Sequence, residues 1–191
     1  MMFDQFKTKL QPESGRIIIS DPFLNDPNFS RTVALLCSHT NEGSLGFVLN
    51  RVSDLYLTDI IELDINSEIP IYLGGPVGKD YLHFIHREPL LSENCEEILP
   101  GIYWGVDFEK MTTLLNLQLI DGANIKFFLG YSGWGEGQLV DEIDEQSWIV
   151  ANAHPDIIFA DPNEEIWKNT LKSMGGAFKL LSNAPENPMM N

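Results

Sequence analysis

TVALLCSHTNEGSLGFVLN, residues 32–50, decides the architecture. The run TVALLCSH (32–39) begins apolar on both faces, which marks an interior strand. TNEGS is polar and contains a glycine, as a turn requires, and LGFVLN (45–50) returns as a second apolar run. Two such runs around a short polar break predict a β-hairpin, so part of the sheet is antiparallel. Elsewhere strands and helices follow no regular strand–helix–strand rhythm, which a doubly wound parallel fold would need. The chain is therefore expected to be α+β, with a mixed or largely antiparallel sheet.

Upstream of the hairpin, Gly15 opens the strand RIIIS (16–20), and DPFLNDPNF (21–29) reads as a loop with two prolines. Residues 1–14 space Phe3, Phe6 and Leu10 as a short helix or an arm would. Downstream, LYLTDII (55–61) fits either a short helix or a strand. IPIYLGGPV (69–77), YLHFIH (81–86), GIYWGV (101–106), NIKFFLGY (124–131) and WIVAN (148–152) read as strands. Asp107 is placed to cap a helix through FEKMTTLLNL, with Met111, Leu114 and Leu115 on one face. GQLVDEIDEQ (137–146) predicts a short acidic helix. A helix over 162–174 is expected from Asp161 at the N-cap, Pro162 at its first position and Glu164 at the third. Its buried stripe is Ile166, Trp167, Thr170, Leu171 and Met174, and Gly175 stops it. The composition turns to Asn, Pro and Met from Ser182, which predicts a flexible tail over 182–191. No internal repeat or linker divides 15–181, so one domain is expected there.

The 191 residues are 43% hydrophobic, enough for one sizeable core. They carry 28 acidic and 12 basic side chains, a formal net charge of −16. Affinity for nucleic acid draws on clustered Lys and Arg against phosphates, and the sequence has no such cluster. Nucleic acid and anionic membranes are thus not the expected partners. Cys37 and Cys95 form neither a CxxC pair nor a zinc spacing. MMFDQFKTKL lacks the apolar core of a signal peptide, and no apolar run approaches the roughly 20 residues of a membrane span. These features predict a soluble cytoplasmic protein. They point to no metal and no cofactor.

Several stretches come close to catalytic motifs. GYSGW (130–134) approaches the G-x-S-x-G nucleophile elbow, but Trp134 stands where the second glycine is needed. His154 is the only histidine downstream of Ser132, with Asp141 and Asp144 between them. A tight bend from Gly130 to Gly137, anchored by a buried Trp134, explains the same letters. GGPVGK (74–79) resembles a phosphate loop with one residue too few between its glycines, and Asp80 follows the lysine. A glycine-proline turn between strands fits better. Gly133 and Gly135 start a dinucleotide fingerprint that Gln138 breaks. The acids of 137–146 lack EF-hand spacing and suit a solvated helix. His83 and His86, three apart in a strand, point to opposite faces and do not form a shared metal site.

The blocks GRIIISDPFLNDPNFSRTVALLCSHTNEGSLGFVLNR (15–51), YLGGPV (72–77), LHFIH (82–86), FFLGYSGWGEGQLVDEI (127–143) and IFADPNEEIWKNTL (158–171) together resemble the AlgH/YqgE family of bacterial proteins. The resemblance implies a single α+β domain whose sheet is branched and barrel-like, with helices around it. It implies little chemistry: the family is largely uncharacterised, and its name comes from a proposed regulatory role in alginate production. The family pattern falls on Pro22, Phe29, Cys37, His39, Gly43, Gly46, Asn50, Gly74, Gly75, Pro76, His86, Gly130, Trp134, Gly137, Gln138, Leu139 and Trp167. The family varies between serine and alanine at position 132, which argues against a serine nucleophile. Ser38 stands where the family has an acidic residue.

Two functions compete. The first is a non-enzymatic regulatory or interaction protein, with no direct DNA contact and an unidentified protein partner. The second is a small-ligand binder or an enzyme, with a cleft near Cys37, His39, Asn50, Gly74, Gly75 and His86. On a regular strand Cys37 and His39 leave the same face, about 6–7 Å apart at the Cα atoms. Cys37 then reads either as a small core hydrophobe, with His39 bonded to a turn or to Asn50, or as a thiol activated by His39.

Overall fold

In the computed structural model, which describes residues 8–65, 68–162 and 165–185, the predicted hairpin is present. β2 (Val33–Thr40) pairs antiparallel with β3 (Gly43–Val48). Val33 to Cys37 are all buried, since β2 is covered on both faces. β1 (Arg16–Ser20) adds to the other edge of β2, and β10 (Trp148–Asn152) adds to β1. β3 pairs with the second half of β9 (Ile125–Gly135). The first half of β9 lies between β5 (Pro70–Leu73), which is parallel to it, and β6 (Val77–His86), which is antiparallel. β8 (Ile102–Gly105) and β7 (Glu96–Leu99) continue beyond β6, and β4 (Val52–Tyr56) borders β5. The result is a ten-stranded sheet that branches at β9, antiparallel in every described pair except β5–β9. The sheet curls into a half-barrel. Gly15, just before β1, packs against the carbonyl of Ile98 on β7, where a Cβ would sit 2.6 Å from that oxygen. This is the α+β fold, with its mixed, largely antiparallel, branched sheet, that the sequence predicts.

Three apolar clusters follow from the curl. Inside the barrel lie Ile17, Ile19, Leu35, Cys37, Phe47 and Phe128. α3 (Pro155–Ile158) and α4 (Ile166–Met174) close this cluster through Ile158, Ile166, Trp167 and Leu171. Outside, α1 (Phe108–Asn116) lays Met111 and Leu115 on Ile71, Phe84 and Phe127. On the hairpin's outer face, Ile18, Leu36, Val48, Trp134, Trp148 and Val150 pack under Leu139 of α2 (Gln138–Asp144). Asp107 caps α1 as expected, its carboxylate accepting from the Lys110 N–H at 2.8 Å. Among the described residues no helix is long and apolar enough to cross a membrane.

The structure corrects several local expectations. The helix expected over 162–174 begins at Ile166, with Glu165 at its N-cap, so Asp161 and Pro162 lie outside it and Glu164 lies outside the described residues. Its start coincides with the entry of Ile166 and Trp167 into the barrel core, where the Trp167 indole donates to the Ser20 carbonyl at 2.9 Å. Gly175, at φ 69°, ends α4, but the chain continues as α5 (Gly176–Leu181), whose Phe178 and Leu181 pack on the same core. At 182–185, where a flexible tail is expected to begin, Ser182 is buried and the Ala184 carbonyl accepts from Arg31 at 2.7 Å. The rest of the tail, 186–191, lies outside the described residues, as do residues 1–7 of the N-terminal arm; 8–14 form no helix. The 55–61 segment divides between both readings, β4 running to Tyr56 and a 3-10 turn following at Leu57–Asp59. β7, α3 and α5 are additional to the predicted elements.

Trp134 is buried, as expected, although the chain around it is strand and not a bend. Its ring stacks with Phe29 at 6.0 Å and meets Trp148 edge-on at 5.9 Å. Both indole N–H groups donate to the same Glu142 oxygen, from Trp134 at 3.0 Å and from Trp148 at 2.8 Å. Gln138 donates to the other oxygen at 2.8 Å, so one carboxylate pins α2 to two strands. Removing a core tryptophan typically costs about 3–5 kcal/mol. Trp134→Ala is expected to lose that much in urea unfolding, with a correspondingly lower midpoint. A midpoint within the range of a surface substitution would show that this cluster does not hold the hairpin face together.

Candidate functional site

The glycine-rich block lies in the middle of β9. Phe127 and Leu129 face the α1 cluster, and Phe128 faces the barrel interior. Regular alternation would put Tyr131 with Phe127 and Leu129. Gly130 takes φ 67°, and Tyr131 instead packs with Phe128 on the barrel side. The strand then runs straight on to Gly135 along β3, where the sequence predicts a bend. The 74–76 turn crosses this point. Gly74 donates its N–H to Leu129 O at 2.9 Å, and its carbonyl accepts from Val48 N–H at 2.9 Å and from the Ser132 hydroxyl at 3.0 Å. Ser132 is fully buried, bonded to a carbonyl and not to an imidazole. His154 is far more exposed, and its ring accepts from the Asp156 N–H at the start of α3. The arrangement is no nucleophile elbow. Nor does GGPVGK cradle phosphate: its glycines press on β9, and Val77 begins a strand, not a helix.

Cys37 and His39 do not share a face. Between β2 and β3 the register shifts, so that Leu36 opposes Gly46 while Ser38 opposes Leu45. This bulge adds one residue to β2 and inverts the alternation beyond it. Cys37 remains on the barrel side with Leu35. His39 opposes Ser44, and Ser44 opposes Trp134 of the other cluster, so His39 lies on the outer face. Its Nδ1 and the Ser44 hydroxyl share a 2.7 Å hydrogen bond, where Asn50 was one expected partner. Cys37 is fully buried, and its thiol pKa is pushed far up, first by burial and then by the negative charge of Glu96. A thiol held protonated is a poor nucleophile.

The other candidates also separate. Asn50 closes the chain before β2, its amide donating to Arg31 O and its oxygen accepting from Val33 N–H, both at 2.9 Å. Gly74 and Gly75 are covered by the β9 backbone. His86 is fully buried on the α1 side, stacked on Tyr103 at 5.6 Å, with Nδ1 accepting from Glu88 N–H at 3.3 Å. Burial lowers its pKa against the raising effects of that hydrogen bond and of the Glu88 charge. His83 faces the barrel side among Phe47, Trp104 and Tyr131, and burial lowers its pKa too. The pair point to opposite faces, as their spacing requires. Among the described residues no group of three His, Cys, Asp or Glu is arranged to hold a metal. Of the six candidates, Asn50 alone borders one of the described cavities, a space of about 360 Å³ that Arg31, Trp167 and Lys168 also line. Arg31 does not stand out in the sequence, since its left-handed backbone and its contact with Trp167, remote along the chain, arise only in the fold.

Comparison with known proteins bears on the family and the fold. A family model described as AlgH-like matches residues 17–179. A UPF0301 protein of Cytophaga hutchinsonii is 42% identical over 178 residues, covering 93% of this chain and 98% of its own. One from Chlorobium chlorochromatii is 40% identical, covering 93% and 95%. The solution structure of the AlgH protein from Pseudomonas aeruginosa aligns with TM-score 0.70 at 28% identity, over 93% of this chain and 98% of that one. A crystal structure of a Corynebacterium diphtheriae protein aligns with TM-score 0.79 at 20% identity over 96% and 100%, a likeness of fold.

The burial of Cys37 has a direct chemical consequence. In native protein at neutral pH, iodoacetamide is expected to label the half-buried Cys95 first and to leave Cys37 unlabelled until denaturant unfolds the chain. His39→Ala should not change the Cys37 rate, since the imidazole is on the other face. Peptide mass spectrometry over a pH series reads both sites. Rapid labelling of native Cys37 near pH 7, abolished by His39→Ala, would contradict the structure.

Proposed function

The chain belongs to the AlgH-like family, and from that premise we propose that it is a cytoplasmic regulatory protein that works by contacting a protein partner, not by catalysis or direct DNA contact. The observation that carries this reading is the sequestration of the two nucleophile candidates that the sequence motifs single out. Ser132 is bonded inside a strand crossing, and Cys37 is held as a thiol in the barrel core. A catalytic base must come within about 2.6–3.2 Å of the proton that it takes. His39 faces away from Cys37, and His86 is enclosed. The regulatory part of the reading rests only on the resemblance to the AlgH/YqgE family, whose name comes from a proposed regulatory role.

The net charge of −16 supports the absence of DNA contact, because counterion release supplies most non-specific affinity and requires basic side chains on the phosphates. Two measurements test the reading together. Fluorescence titration of a labelled duplex at physiological salt should show no submicromolar binding. Affinity capture with the tagged full chain from native lysate of its own cells should return a specific, stoichiometric protein. Submicromolar DNA binding with a steep salt slope, or capture of nothing specific, would overturn it.

A further inference from the structure

Arg31 takes φ 52°, in the left-handed region that a non-glycine residue seldom adopts. Such a conformation persists where its surroundings over-determine it, and it is common at ligand-binding sites. The surroundings here are explicit. Asn50 holds the backbone from both sides, through Arg31 O and Val33 N–H. The guanidinium carbon lies 4.8 Å from the ring centre of Trp167, within cation–π range. That indole is itself fixed, being buried and donating to Ser20 O. One guanidinium nitrogen donates to Ala184 O at 2.7 Å. A guanidinium has five N–H donors in a rigid fork, so this contact orients it without exhausting it.

The fork borders the cavity of about 360 Å³ between the end of β3 and the start of α4. Although the chain has 28 acidic residues, no carboxylate among the described residues forms an ion pair with Arg31. Glu165, the acid among the described lining residues, is engaged with Lys168, whose Nζ lies 3.1 and 3.2 Å from its two oxygens. Among the described lining residues two cations, Arg31 and Lys168, stand with one acid, so one positive charge is left without an acidic counterpart there. Planar guanidinium forks match carboxylate and phosphate oxygens two at a time, and a fork already held in place loses little freedom on binding. The volume suits a small molecule.

We propose that this cavity binds a small molecule through an oxyanion group, a carboxylate or a phosphate, held by the Arg31 guanidinium with Lys168 at the rim. The inference is independent of the regulatory reading, since the cavity stands apart from Cys37, Ser132 and His86. The competing role for Arg31 is purely structural, stapling the 182–184 turn to the loop before β2. That role predicts no saturable response to an anion.

The test is NMR titration of the ¹⁵N-labelled full chain with succinate and, separately, with inorganic phosphate, at constant ionic strength against a chloride control. The Arg31 Nε–H and Trp167 Nε1–H resonances report the cavity, and the Trp134 and Trp148 indoles report the fold. Both cavity signals should shift saturably with at least one anion, with a dissociation constant of about a millimolar or tighter. Arg31→Lys keeps the charge and loses the fork, and should weaken binding by about tenfold. Lys168→Gln leaves Arg31 in place and should weaken binding by a few-fold, so it decides the matter should Arg31→Lys fail to fold. Response to succinate alone assigns a carboxylate ligand, and response to phosphate alone a phosphate ester. No saturable shift with either anion, or unchanged affinity in the folded variants, would overturn the proposal.

Discussion

The fold depends on a place where two backbones cross with no room between them. At the 74–76 turn, a Cβ on Gly74 would lie 2.3 Å from Gly130 O, and one on Gly75 2.2 Å from Tyr131 O. Real side-chain carbons do not approach a carbonyl oxygen so closely. The crossing allows β9 to leave β5 and β6 and continue beside β3, so a single strand belongs to both branches of the sheet. Gly130, at φ 67°, reverses the faces at the same point and turns Tyr131 towards the barrel interior. The hydrogen bonds of Gly74 tie β3 and β9 together there. The barrel core, the α1 cluster and the Trp134 cluster all adjoin this junction, through Phe47 and Phe128, Phe127, and Val48 respectively.

The same constraint explains why catalytic motifs almost appear. A close crossing needs glycine, and the small serine beside it can turn its hydroxyl inward to the Gly74 carbonyl. Glycines around an apolar strand next to a serine then spell something near a nucleophile elbow without an exposed nucleophile. The bulge in β2 acts similarly on the cysteine and histidine. Two residues that a regular strand would aim together are separated by the full thickness of the sheet. The cavity proposed to take a ligand lies at Arg31, where the backbone is left-handed, and not where the sequence concentrates its reactive residues.

Much of the fold was legible because it is written in local periodicity. β1, the hairpin, β10 and α1 follow from runs of apolar residues and from Asp107, and the family blocks supplied the branched, barrel-like sheet. The remainder depends on contacts between distant residues. The start of α4 coincides with Trp167 meeting Ser20 and departs from the local capping pattern. The β2 bulge has no letter of its own, since Leu36, Cys37 and Ser38 suit a regular strand equally well. The strand through Tyr131–Gly135 looked like a bend because glycine signals a turn and close packing alike. Of the candidate site, Asn50 was legible, but its neighbours Arg31 and Trp167 meet only in three dimensions.

The account stands or falls on whether GYSGW serves backbone crossing. Gly74 is the sharpest probe, because its φ lies outside the left-handed region and only the lack of space excludes a side chain. Equilibrium unfolding of Gly74→Ala beside Ser132→Ala tests this directly. Ser132→Ala removes one hydrogen bond to a carbonyl that keeps its Val48 partner, and should cost about 0.5–1.5 kcal/mol. Gly74→Ala must push two strands apart, and should cost more than about 4 kcal/mol or prevent cooperative folding. A Gly74→Ala protein that unfolds at the wild-type midpoint, or a Ser132→Ala protein damaged as severely, would contradict the account.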